Sequence, residues 1–245
     1  MRAWAIALSL EILLVGCSRH PATESSATQT APVSAAPAST SPSPADLLLA
    51  FKAAYGQPAP LVQPKNEPDA GGQVDLNYAP VGFVDVAPGI VALIAQGTGA
   101  DCGRFCTGTT DIYYLRRTPS GFESLGAWRD LAPGLFFGVP AEWSVRHDLF
   151  TGAALIANGV TGEGNCYPAV YTIIELTPLA PKVRAAGVFS GAQVEAGEIK
   201  STIQPVIRDQ SFKLVYYGLK SVTIKYNRIG DEYLAEEPEQ TPRFC

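Results

Sequence analysis

Four cysteines after residue 100 carry the clearest chemistry of the chain: Cys102, Cys106, Cys166 and Cys245. An even number of cysteines in a secreted chain is typical of a disulfide framework. Of the three possible pairings, we predict Cys102 with Cys106 and Cys166 with Cys245. A zinc site is the alternative, but Cys102-x-x-x-Cys106 lacks the second closely spaced pair that structural zinc sites present.

Catalytic residues are harder to place in this sequence. Nucleophilic catalysis needs an activating base, and His147 is the only histidine after residue 45. No Gly-x-Ser-x-Gly motif accompanies it, so we expect a surface histidine. A pair of carboxylates is enough for glycoside hydrolysis, but no spacing singles out a pair. The acids that qualify by type alone are Asp101, Asp111, Glu142, Asp148 and Glu163. The sequence therefore assigns no catalytic residue and favours a protein that is not an enzyme.

Two loops carry residue types suited to binding a partner protein. They span residues 98–110 and 160–168, and each follows an apolar, strand-like run. A loop braced by a disulfide is preorganised, and arginine and aromatic side chains are favoured in interface hot spots. A disulfide that only staples a long connection is the alternative. The predicted partner-binding residues are Arg104, Phe105, Glu163, Asn165 and Tyr167.

The second loop also offers oxygen ligands for a cation. Asn158, Glu163 and Asn165 lie close together in a glycine-rich stretch. This stretch lacks the alternating acids and the closing glutamate of an EF-hand loop. Calcium is therefore possible but not favoured, and we expect no cofactor and no resident metal.

The elements that must position these loops have the pattern of β-strands. Residues 90–97, 152–159 and 212–218 are apolar runs that end at glycine, and two further strands follow each run. A repeat of about 60 residues with three or four antiparallel strands is the size of a propeller blade. We predict an all-β antiparallel meander of three or four repeated sheet units, propeller-like or stacked, with a sandwich as the alternative. If the units repeat, both loops leave the same face.

One short helix is predicted before the strands. Ser43 is a suitable N-cap, Pro44 suits the first turn, and Gly56 can end the helix. Apolar residues recur between them at helical spacing, which predicts packing against the β domain. The following residues 57–72 are rich in proline and glycine, which predicts a connector.

The densest aromatic stretch is expected to pack in the core rather than to line a ligand groove. It contains Trp128, Arg129, Phe136, Phe137 and Trp143.

The N-terminus resembles that of a bacterial lipoprotein precursor. Arg2 is followed by an apolar run that ends in Leu14-Val15-Gly16-Cys17, which resembles a lipobox. The run is shorter than the roughly 20 apolar residues that span a bilayer. The resemblance implies that Cys17 becomes the acylated first residue of the mature chain. It also implies an outer-membrane anchor facing the periplasm; an ordinary secretory signal is the alternative.

These features predict four segments. Residues 1–16 are the signal peptide, and residues 17–44 are the acylated cysteine with a disordered tether of mainly Ser, Thr, Ala and Pro. Residues 45–72 hold the helix and connector, and residues 73–245 form the β domain. The net charge of −5, without basic runs, argues against nucleic acid and favours a basic partner.

The overall plan of anchor, tether and small β domain resembles periplasmic immunity and lysozyme-inhibitor lipoproteins. The resemblance implies a protein that binds a partner, as an inhibitor or immunity protein of a cell-wall hydrolase. An acidic domain would attract a basic hydrolase. Two other functions stay open. Two buried acids facing each other across a pocket would favour a hydrolase of envelope glycan or peptide. A long unpaired strand edge or a large exposed apolar patch would favour a structural component of an envelope assembly.

Overall fold

The computed structural model describes residues 42–67, 72–99, 103, 106–160, 168–194, 197–218 and 221–238. Within these residues the chain forms one helix and thirteen strands. They are α1 (Pro44–Tyr55), β1 (Leu61–Glu67), β2 (Gly72–Ala87), β3 (Ile90–Gly99), β4 (Thr109–Thr118), β5 (Gly121–Pro133), β6 (Glu142–Arg146), β7 (Ala153–Val160), β8 (Ala169–Leu176), β9 (Pro181–Val194), β10 (Gly197–Ile207), β11 (Ser211–Tyr217), β12 (Val222–Ile229) and β13 (Glu232–Ala235).

The strands form two antiparallel sheets, and in each sheet the spatial order follows the chain. Strands β1 to β5 form a five-stranded sheet, and strands β6 to β13 form an eight-stranded sheet. This arrangement confirms the predicted all-β antiparallel meander with one short helix.

The predicted repeat is present as groups of four strands. The three apolar runs are β3, β7 and β11, each the second strand of the groups β2–β5, β6–β9 and β10–β13. The number of sheets differs from the predicted three or four. Strand β10 pairs with the end of β9, from Val194 opposite Gly197 to Gly191 opposite Lys200, and this ladder joins the last two groups in one sheet.

Helix α1 begins and ends at the predicted residues. The Ser43 side chain accepts a hydrogen bond from the Asp46 backbone N–H at 3.1 Å. Gly56 ends the helix in the left-handed conformation, with a φ of 73°, and its N–H donates to the Lys52 carbonyl. The buried Phe51 side chain attaches the helix to the five-stranded sheet.

The five-stranded sheet is buried on both faces at its centre. Val91, Leu93 and Ala95 of β3 pack beneath the helix, whereas Ala92 and Ile94 face the second sheet. On the second sheet, β7 meets them with Ala153 and Leu155. Burial on both faces explains why β3 and β7 are continuous apolar runs instead of alternating polar and apolar residues.

The eight-stranded sheet curls around a second core. This core contains Phe150, Phe212, Tyr216, Tyr226 and Tyr233, together with aliphatic residues of β7 to β12. The curl follows from irregular pairing of β9 with β8, where the register shifts at three places. Bulges of this kind bend a strand and increase its twist.

One segment has a different structure from the one that the sequence predicted. The predicted connector of residues 57–72 contains β1, which pairs with β2 from Leu61 opposite Tyr78 to Glu67 opposite Gly72. Pro64 lies within β1 at the edge of the sheet, where a missing N–H donor is tolerated.

None of the helices in the described part of the chain is long and apolar enough to cross a membrane.

Candidate functional site

The two predicted binding loops have described stems but undescribed tips. The first loop lies between the end of β3 at Gly99 and the start of β4 at Thr109, and the second lies between Val160 and Ala169. The tips hold the predicted partner-binding residues, which lie outside the described residues and stay predictions: Arg104, Phe105, Glu163, Asn165 and Tyr167.

The stems are joined by the connection between β5 and β6. The Gly99 N–H donates to the Gly138 carbonyl, and the Gly138 N–H donates to the Cys106 carbonyl, both at 2.9 Å. On the other side, the Val160 N–H donates to the Gly134 carbonyl at 3.0 Å. Residues 133–141 therefore tie both loops together, and we call this segment with the two stems the loop platform.

Two glycines show how closely the platform is packed. A Cβ atom on Gly138 would lie 2.6 Å from the Gly99 Cα, and Gly138 also has a φ of +70°. A Cβ atom on Gly159 would overlap the Pro133 carbonyl oxygen. Because backbone atoms pack against backbone atoms at both positions, only glycine fits. The two stems are therefore held in a fixed position relative to each other.

Phe137 is the most unusual residue of the platform. Its φ of +57° lies in the left-handed region, which is strained for a bulky residue. Phe137 is 60% exposed, and the nearby Val139 is also exposed. An exposed aromatic ring on a rigid support, in a strained conformation, is a feature that clusters at binding sites.

The exposure of Phe137 corrects one expectation from the sequence. The aromatic stretch was expected to pack in the core, and Trp128 and Trp143 do pack between the two sheets. Phe137 does not, because it lies in a turn before Gly138 with its side chain exposed. The sequence signal that favours a surface position is the Pro133-Gly134 and Gly138-Val139-Pro140 composition, which is typical of turns.

Cys106 lies in the stem of the first loop and is fully buried in the core beneath the helix. The other cysteines, Cys102, Cys166 and Cys245, lie outside the described residues, as does Cys17. Both disulfide pairings therefore stay predictions.

Among the described residues, the most buried acid is Asp111 of β4, which is 1% exposed. One carboxylate oxygen accepts from the Tyr55 hydroxyl at 2.8 Å and the other from the Asp130 backbone N–H at 2.9 Å. Burial raises the pKa of Asp111, and these two hydrogen bonds offset part of that shift. Burial also raises the pKa of Tyr55 and Tyr78, which lie beside it. The cluster connects helix α1 to β4 and β5.

A second buried acid in the described part of the chain is Glu175 of β8, which faces Arg184 of β9. The Arg184 Nε donates to the Glu175 carboxylate at 2.7 Å. A second guanidinium nitrogen donates to the carbonyl and the carboxylate of Asp231, both at 2.9 Å. Glu175 is thus neutralised by an ion pair instead of facing a second acid.

The acids that qualified by type are not brought together as a catalytic pair among the described residues. Asp111 lies beneath helix α1, Glu142 is exposed at the start of β6, and Asp148 is bound by Arg146 at 2.7 Å. That contact lowers the pKa of Asp148. Asp101 and Glu163 lie outside the described residues.

The described residues that could bind a metal ion, and His147, are also not gathered into a site. Across the described ranges, no group of three or more His, Cys, Asp or Glu side chains is placed to hold a metal ion. Asn158 accepts a hydrogen bond from the Ser190 hydroxyl at 2.7 Å, whereas Glu163 and Asn165, the other two oxygen-bearing side chains considered for calcium, lie outside the described residues. His147 is exposed, and its carbonyl accepts from Arg208.

Neither a protein-family model, a curated protein nor a solved structure matches the chain.

Proposed function

We propose that this protein is a periplasm-facing lipoprotein that binds a partner protein through the loop platform. The observation that carries the proposal is the exposed Phe137 ring, held in a left-handed conformation between the stems of two loops. The predicted binding residues of both loops follow these stems in the sequence, and we propose that they contact the same partner.

The rigidity of the platform supports a binding role. Binding loses free energy when loops must be ordered, so a preorganised support raises affinity. Backbone hydrogen bonds among Gly99, Cys106, Gly134, Gly138 and Val160 provide that support without using side chains. The exposed side chains of Phe137 and Val139 on this support can then contact a partner.

The charge of the chain supports the choice of partner. A net charge of −5 favours a basic partner. We propose that this partner is a cell-wall hydrolase, which the protein inhibits or neutralises. The acids of the described residues support binding more than hydrolysis, because Asp111 and Glu175 are each occupied by their own partners.

Retention of a partner by the immobilised protein tests whether the loop platform is the binding surface. The domain from residue 42 onward, kept oxidised, is immobilised and exposed to a periplasmic extract. The variants are Phe137→Asn and the double variant Arg104→Ala with Phe105→Ala. The matched control is Leu179→Asn, which changes a 90% exposed side chain in the turn at the opposite end of β8 from the second loop.

The expected result is one basic protein retained by the wild type and the control and lost by the Phe137 and loop variants. Equal retention by all four proteins would overturn the assignment of the surface. Retention of no protein by the wild type would overturn the binding function itself.

Lipid attachment is tested separately, in a bacterial host that expresses the full chain. Radiolabelled palmitate is expected to enter the wild type but not Cys17→Ser. Labelling of both proteins, or of neither, would contradict the proposed anchor.

A further inference from the structure

Polar side chains gather at one end of the concave face of the eight-stranded sheet. On β7, Ile156 points into the second core, and Asn158 follows two positions later. On β10, Ile199 and Ile203 lie in the same core, and Ser201 lies midway between them. Because alternate residues of a strand share a face, Asn158 and Ser201 both lie on the concave face.

A chain of hydrogen bonds orients these side chains. The Tyr171 hydroxyl donates to the Ser201 carbonyl at 3.2 Å, and the Ser201 hydroxyl donates to the Ser190 carbonyl at 2.8 Å. The Ser190 hydroxyl in turn donates to the Asn158 Oδ1 at 2.7 Å. This contact fixes the amide of Asn158, and no described residue accepts from its Nδ2. The amide hydrogens of Asn158 are therefore available to a ligand.

These side chains line a groove of about 450 Å³ that is open to solvent. The volume lies within the range of about 300–1,000 Å³ that is usual for small-molecule sites. Ser190 and Ser201 are buried at the floor of the groove, whereas Asn158 and Tyr171 are half-buried and Glu142 is exposed. The groove thus combines a polar floor with sides that a ligand can reach. We call it the polar groove.

The polar groove carries charges of both signs. Glu142 of β6 lies directly opposite Asn158 of β7 in the ladder, so the two side chains share a face. Lys200 of β10 also lines the groove and is exposed. One carboxylate and one ammonium group together do not select an anion or a cation. An apolar ligand would leave the amide and hydroxyl groups unpaired, which costs free energy. The groove therefore favours a ligand that is polar and neutral.

We propose that the polar groove binds a neutral oligosaccharide. A sugar hydroxyl both donates and accepts, so it can accept from the Asn158 Nδ2 and donate to the Glu142 carboxylate. Residues directly opposite in a ladder have Cβ atoms about 5 Å apart, which lets one sugar ring contact both side chains. The Tyr171 ring adds apolar surface for the C–H groups of the sugar. This site does not rest on the function proposed for the loop platform.

A printed array of neutral and anionic oligosaccharides provides the probe. The purified full chain, kept oxidised and labelled, is applied to the array. Each oligosaccharide that retains it is then titrated into isotope-labelled protein and followed by NMR. The variants are Glu142→Gln and Asn158→Asp, which keeps the acceptor for Ser190 but removes the amide donors. The matched controls are Glu232→Gln and Asn227→Asp, which change the same residue types on β13 and β12, outside the groove.

We expect the wild type and both controls to bind neutral oligosaccharides with similar affinity. Each groove variant loses a hydrogen bond to the sugar, so its affinity should fall about tenfold or more. Retention by no neutral oligosaccharide, or by anionic ones alone, would overturn the proposal. Equal affinity of the wild type and both groove variants would place the sugar elsewhere and would overturn the assignment of the groove.

The wild-type spectrum gives a readout that does not depend on how well a variant folds. The side-chain amide signal of Asn158 is identified as the one that disappears in Asn158→Asp. It should shift as the oligosaccharide is added to the wild type, whereas the side-chain amide signal of Asn227 should not. An Asn158 signal that stays in place at saturation would contradict the inference.

Discussion

Asp111 is an ionisable residue that is only 1% exposed. Its carboxylate is almost fully buried and is satisfied by Tyr55 and by the Asp130 backbone N–H. An asparagine at this position has no carboxyl group to titrate, so it should remove the pH dependence of stability that Asp111 contributes.

The variant Asp111→Asn tests this expectation. Because burial raises the pKa of Asp111, the folded state holds a proton that the unfolded state has already lost above a pH of about 4. The free energy of unfolding of the wild type, relative to Asp111→Asn, should fall as pH rises from about 4 through the folded pKa. Urea unfolding at pH steps from 4 to 7 measures the difference, and parallel curves for the two proteins would contradict the prediction.

Phe137 allows a second prediction at the residue scale. Asparagine adopts the left-handed conformation more readily than phenylalanine, and the exposed ring contributes little burial. Phe137→Asn should therefore keep the stability of the wild type or gain up to about 1 kcal/mol. Thermal and urea unfolding measure this, with Leu179→Asn as the control. A loss of more than about 2 kcal/mol would show that the ring stabilises the fold, and would weaken its assignment to a binding surface.

At the scale of elements, the ion pair of Arg184 and Glu175 fastens β8 to β9 and both to the turn before β13. Breaking one partner of a buried pair leaves an uncompensated charge, whereas replacing both partners by apolar side chains does not.

Arg184→Met should therefore lower the free energy of unfolding by about 3–5 kcal/mol. The double variant Arg184→Met with Glu175→Leu should recover most of that loss, since no buried charge remains. Chemical unfolding of the wild type, both single variants and the double variant gives the coupling energy. Additive losses would mean that the two side chains do not act as a pair.

The elements also show what sequence patterns can and cannot predict. Helix α1 was predictable because Ser43 and Gly56 act through local hydrogen bonds. The runs in β3 and β7 were predictable because burial on both faces leaves a continuous apolar signal. Strand β1 was missed, since Pro64 and its polar neighbours pair only at the edge of the sheet. The ladder between β9 and β10 joins two repeat units through bulged strands, and local patterns do not report such pairing.

The sequence predicted the two loops of the candidate site but not the exposed residue between them. The two loops were recognisable because each follows a glycine at the end of an apolar strand. Phe137 was assigned to the core because aromatic residues are usually buried. The turn that holds it packs Gly138 against Gly99, which is 39 positions away in the chain, and a local sequence pattern does not report such a contact.

At the scale of the whole molecule, one compact unit contains the helix and both sheets. The predicted pairing of Cys166 with Cys245 would join the second loop of the platform to the C-terminal residues. The predicted pairing of Cys102 with Cys106 would close only a short loop beside the buried stem residue Cys106.

These two closures should contribute unequally to stability. In the chain-entropy model a loop of about 80 residues contributes about 4 kcal/mol, and a loop of about five residues contributes about 2 kcal/mol. Replacing Cys166 and Cys245 together by serine should therefore lower the free energy of unfolding about twice as much as replacing Cys102 and Cys106. Urea unfolding of the oxidised proteins measures both losses, and peptide mapping without reduction identifies the pairs. A bond between the two loops, such as Cys106 with Cys166, would contradict the predicted pairing and would instead fasten the two loops of the platform directly to each other.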